Sequence, residues 1–93
     1  MSLSAVVVFD PTVRWRLNER VSLRDEEFGA LAYHHGTRRL VFLKSRELVD
    51  LVRRLEHFES VDAAVVAMVP PALRGHYAKA LASLATSEII RED

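Results

Sequence analysis

Ninety-three residues, 49% of them hydrophobic and with 13 basic side chains against 13 acidic ones, make one globular domain and exclude a disordered chain. The charges cancel, so no global field draws nucleic acid or an anionic membrane to the chain. There is no cysteine, which excludes disulfides and a cluster held by the chain's own thiolates and fits a reducing cytoplasm.

At this length folding buries only roughly 60–65% of the chain's surface, so exposed apolar area is expected. No apolar run approaches the ~20 residues of a membrane span. Leu3 to Phe9 is apolar but lacks the basic flank and cleavage site of a signal peptide. It reads as a strand that stops at Asp10-Pro11, where proline disfavours helix. With no hairpin partner nearby, such a strand must pair with the domain's own sheet, swap into a homodimer, or occupy a binding groove.

Trp15 and Leu17 alternate with Arg14, Arg16 and Asn18, the pattern of an extended segment with one buried face. Trp15 is expected to anchor the core. Val21-Ser22-Leu23 alternates again and predicts the first sheet strand, with the charged run Arg24 to Glu27 turning the chain. Gly29 begins a second strand through His34. Gly36 is expected to supply the tight turn of a hairpin. Leu40-Val41-Phe42-Leu43 predicts a third strand, apolar on both faces. Val41 and Leu43 should face the helices, and Leu40 and Phe42 the other way.

Ser45 is a good N-cap for a first helix, whose stripe is Leu48, Leu51, Val52, Leu55 and Phe58. Ser60 caps a second, with Ala64, Val65 and Met68 inward and Pro70-Pro71 at its end. Pro71 suits the first turn of a third helix. Leu73, Tyr77, Ala80, Leu81 and Leu84 form the inner stripe of that helix. Ile89 and Ile90 could fold back on the core. The order β-β-β-α-α-α predicts an α+β fold, a three-stranded antiparallel sheet followed by three helices, as in winged-helix relatives.

Signs of catalysis are missing from the pattern. His34 and His35 are adjacent on a strand and point to opposite faces, so they cannot readily share a metal. His57 and His76 have no ligand-spaced partner, and no Gly-rich phosphate loop exists among three glycines. Neither enzyme activity nor a cofactor is expected. The alternative is a winged-helix DNA-binding module, with Arg38 and Arg39 as a wing and Arg74, His76 and Lys79 on phosphate. An alanine-rich third helix and zero net charge argue against it, and against nucleic acid or membrane as partners.

Two blocks carry a resemblance: Leu23-Arg24-Asp25-Glu26-Glu27-Phe28-Gly29-Ala30-Leu31-Ala32-Tyr33, and Thr37-Arg38-Arg39-Leu40 with Phe42-Leu43-Lys44. From Trp15 to Ile90 the chain resembles the MftB family of mycofactocin-pathway peptide chaperones, within the PqqD-like group of RiPP recognition elements. The resemblance implies a peptide-binding domain over residues 15–93, and residues 1–14, outside it, read as an N-terminal arm that could add a strand. It further implies a cytoplasmic, non-catalytic protein that binds the precursor peptide of a ribosomally made natural product and presents it to a radical S-adenosylmethionine maturase. By that resemblance the leader adds as a strand to Arg39, Leu40, Val41, Phe42, Leu43 and Lys44. It would pack against Leu73, Tyr77, Ala80, Leu81 and Leu84 of the third helix. Arg38, Arg39 and Lys44 could pair with acidic residues of the leader, or guard the strand edge against aggregation.

Overall fold

Period-two alternation becomes three antiparallel strands, β2 (Val21–Glu26), β3 (Gly29–His34) and β4 (Leu40–Leu43), in the spatial order β2-β3-β4. A short strand before them, β1 (Trp15–Leu17), belongs to a second sheet. The computed structural model describes residues 8–93. Residues 8–14 form no strand, and the rest of the expected Leu3 to Phe9 strand lies outside the described residues.

The first strand of the main sheet runs beyond Leu23 to Glu26, so Arg24, Asp25 and Glu26 are part of it rather than a turn. Opposed charges make this tolerable on a half-solvated strand. Arg24 Nε donates to Glu26 Oε2 at 2.8 Å, and Arg53 Nη2 donates to Asp25 Oδ1 at 3.2 Å. Glu26 pairs with Gly29, which leaves Glu27 and Phe28 as a two-residue turn. Gly29 is obligatory there. Its φ is 152°, and a Cβ would strike the Leu43 carbonyl oxygen and lie 2.9 Å from the Ser45 nitrogen.

The β3–β4 hairpin corrects the expectation placed on Gly36. The left-handed residue of the connection is Arg38, with φ 63°. Arg38 N donates to His34 O at 2.7 Å, and His34 N donates to Arg39 O at 2.9 Å. His34 is buried, and its Nδ1 accepts from both Gly36 N and Thr37 N at 3.0 Å. The loop therefore wraps an imidazole. Gly36 is needed because a Cβ would sit 2.9 Å from the His34 ring.

The capping signals hold. Ser45 Oγ accepts from Leu48 N at 3.0 Å and starts α1 (Arg46–Arg54). Ser60 Oγ accepts from Ala63 N at 3.0 Å and starts α2 (Val61–Met68). Pro71 opens a single 3₁₀ turn, Pro71–Leu73, and the α-helix proper, α3 (Arg74–Thr86), begins only at Arg74. A 3₁₀ turn advances about 120° per residue rather than 100°, so it shifts the phase of the stripe. Leu73 consequently leaves the expected inner face and is 46% exposed. Arg74 instead closes the end of α2, donating to Val69 O at 2.9 Å and Val66 O at 3.1 Å.

Helix α3 ends in a Schellman motif. Ile89 N donates to Leu84 O and Glu88 N to Ala85 O, with Glu88 left-handed at φ 62°. This sends β5 (Ile90–Glu92) back to pair with β1, Trp15 opposite Glu92 and Leu17 opposite Ile90. The returning isoleucines thus make a second, two-stranded sheet, which the three-strand expectation lacks. The core lies between the sheets and the helices, with Leu43, Leu51, Leu55, Leu81, Ile89 and Ile90 fully buried. Trp15 is buried there as expected, its Nε1 donating to Asp10 O at 2.8 Å.

Candidate functional site

Among the described residues, strand β4 is an edge of the main sheet, hydrogen-bonded to β3 alone. The bond from His34 N to Arg39 O fixes the phase of the ladder. Main-chain groups alternate sides in an antiparallel pair, so those of Arg39, Val41 and Leu43 turn toward β3. Those of Leu40 and Phe42 turn outward, and among the described residues no backbone group pairs with them. An exposed row of N–H and C=O groups is a template for another strand.

The side chains divide as the alternation predicts. Leu43 is fully buried and Val41 half-buried, both toward the helices, whereas Leu40 and Phe42 are 54% and 55% exposed. Arg38, Arg39 and Lys44 are exposed, and among the described residues none of the three forms an ion pair. Their charges are available to a partner.

The third helix reaches the end of this edge through a hydroxyl pair, Tyr77 Oη lying 3.3 Å from Ser45 Oγ just beyond β4. Of the residues expected on its binding face, Leu81 and Leu84 are buried in the core and Tyr77 is nearly so. Leu73 is exposed and Ala80 half-buried, so these two keep accessible surface. His76, which has no place in the stripe, lies edge-on to the Tyr77 ring at 5.8 Å and is exposed.

Sequence reasoning passed over Phe28 and Tyr33. Phe28 is 43% exposed in the β2–β3 turn, and its ring meets that of Phe42 at 5.8 Å. Tyr33 stands opposite Leu40 and Leu31 opposite Phe42, which puts these side chains on one face. The alternation of Leu31 and Tyr33 was the available signal. Two shallow hollows mark this face, one of about 400 Å³ among Phe28, Phe42 and Lys44 and one of about 300 Å³ between Arg24, Tyr33 and Leu40. A larger apolar groove of about 610 Å³ lies elsewhere, between α2 and α3, walled by Val65, Val66, Ala78 and Ala82.

The two shifted carboxyls sit away from β4. Glu19 is held below the usual glutamate range by the hydrogen bond from Arg91, and Asp10 below the aspartate range by the Thr12 hydroxyl. Among the described residues no three His, Asp or Glu side chains gather as metal ligands. No helix among them is long and apolar enough to cross a membrane.

An α+β fold with an open, cation-flanked strand edge is that of a small binding protein. The chain belongs to the Peptide chaperone MftB family, a family of chaperones rather than catalysts, whose model matches residues 14–91. Peptide chaperone MftB of Mycolicibacterium smegmatis is 42% identical over 85 residues, covering 90% of this chain and 83% of the relative. Its namesake in Mycobacterium ulcerans is 43% identical over 83 residues, covering 88% of this chain and 76% of the relative. That of Mycobacterium tuberculosis is 46% identical over 56 residues, covering 60% of this chain and 51% of the relative. No solved structure matches the chain.

Proposed function

We propose that this chain binds the precursor peptide of mycofactocin as an added strand on β4 and presents it to a radical S-adenosylmethionine maturase. The observation that carries the reading is the main chain of Leu40 and Phe42 on an edge strand, unpartnered among the described residues. Strand addition draws affinity from main-chain hydrogen bonds and specificity from pockets for alternate side chains. Leu73, His76 and Ala80 leave accessible surface on the helical side. Arg38, Arg39 and Lys44 steer an acidic leader and set its register. Family membership and the relatives' names support a peptide client.

Amide hydrogen exchange with and without saturating precursor peptide tests the pairing. The amides of Leu40 and Phe42 gain at least about tenfold protection on strand addition, whereas those of Val41 and Leu43 are already bonded to β3 and change little. Peptide that binds with no added protection at Leu40 and Phe42 would show that it docks elsewhere.

A further inference from the structure

The face of the main sheet turned away from the helices is apolar on β3 and β4, while β2 contributes Ser22, Arg24 and Glu26 to it. Phe42 and Leu40 on β4, Tyr33 on β3 and Phe28 in the β2–β3 turn are each between 36% and 55% exposed. An added strand lies about 4.8 Å from β4 and reaches the side chains of that strand alone. Tyr33 and Phe28 remain uncovered by it. Contiguous exposed aromatic surface on a small domain marks a protein interface, and buried aromatics dominate the energetics of such interfaces.

The charge around this face selects its occupant. From Phe28 to Lys44 the chain carries no carboxylate and three cations, Arg38, Arg39 and Lys44, in a protein of zero net charge. On β2 Arg24 engages Glu26 at 2.8 Å, and Glu27, exposed beside Phe28, is a second carboxylate at the rim of this face. Cations therefore stand at both ends of β4, and Arg24 on the far strand. A second copy of this chain packed about a two-fold axis would set these like charges against each other. A partner with carboxylates around an apolar centre would neutralise them.

We infer that this outer face, centred on Phe28, Tyr33 and Phe42, docks a folded protein whose surface is apolar and ringed by acidic residues, while the β4 edge takes the peptide. The inference rests on the peptide-presenting reading for the partner's identity as the processing enzyme. Phe42 and the β4 cations border both surfaces, whereas Phe28, Tyr33 and Arg24 lie off the strand edge.

The test measures affinity of the full chain for the radical S-adenosylmethionine maturase, with and without precursor peptide, in wild type, in a Phe28→Ser/Tyr33→Ser double variant and in Arg24→Glu. All three positions are exposed and lie outside the β4 edge, and a thermal melt checks that each variant folds. Maturase affinity should fall at least about tenfold in both variants, with peptide affinity within about twofold of wild type. Unchanged maturase affinity would overturn the inference, as would a wild-type dimer in sedimentation that the double variant dissociates. Absent peptide binding by the wild type would instead count against strand addition, leaving the maturase measurement readable by itself.

Discussion

The Tyr77 hydroxyl lies 3.3 Å from Ser45 Oγ, and this pair joins α3 to the residue where β4 becomes α1. Ser45 serves two elements at once, because the same oxygen caps α1 by accepting from Leu48 N. The end of the edge strand and the helix across from it are thereby tied by a polar contact as well as by the shared core.

Removing either hydroxyl should weaken the fold by different amounts. Tyr77→Phe loses a single hydrogen bond, which costs about 1 kcal/mol, while Ser45→Ala also loses the cap and costs about 1–2 kcal/mol. Because the two share one contact, the double variant should cost less than the sum. Urea melts of the four proteins measure this, and strict additivity would mean that the contact carries no energy.

Gly29 cannot be replaced without moving β4. A methyl group there meets the Leu43 carbonyl, and the φ of 152° is itself unfavourable for any L-residue. Gly29→Ala should destabilise by at least about 2 kcal/mol, from strain and collision together. It should also loosen the amides of β4 in hydrogen exchange before those of α1. A variant as stable as wild type would show that the β2–β3 turn tolerates rearrangement.

The link between the end of β1 and β5 depends on pH. Arg91 Nε donates to both Glu19 oxygens, at 2.6 Å and 3.0 Å, and this bond holds the Glu19 carboxyl below its ordinary range. A carboxyl whose folded pKa is depressed stabilises the fold above its unfolded pKa and loses that contribution as pH falls through the folded one. Glu19→Gln should therefore lower the melting temperature at neutral pH and leave it unchanged in strong acid. The pair is exposed, so the effect is small and fades with salt. A constant difference across the acid range would assign the loss to packing instead.

Much of the strand edge was legible in the chain. Leu40 to Leu43 betrays its two faces by alternation, and Ser45 and Ser60 announce the helices that follow because a cap is a local bond. What stayed hidden depends on distant or conformational partners. Ile90 pairs with Leu17 across more than seventy intervening residues, and no local pattern in either segment names the other. Arg24, Asp25 and Glu26 resemble a turn until their counter-charges are in place. Leu73 fits a helical stripe only if the helix starts at Pro71, and the 3₁₀ turn moves that start. Phe28 follows the charged run Arg24 to Glu27, and only the register that brings it beside Phe42 gives it a surface to share.

The phase of the β4 edge also limits how anything can travel along it. Leu40 and Phe42 offer their main-chain groups at every second residue, so a paired strand slipped by one residue would turn all its side chains to the opposite face. A bound chain can therefore advance only by two residues at a time, a stride of about 7 Å. On the strand-addition proposal the edge is a ruler with coarse divisions, and a client held against it would be offered onward at discrete positions, not along a continuous slide.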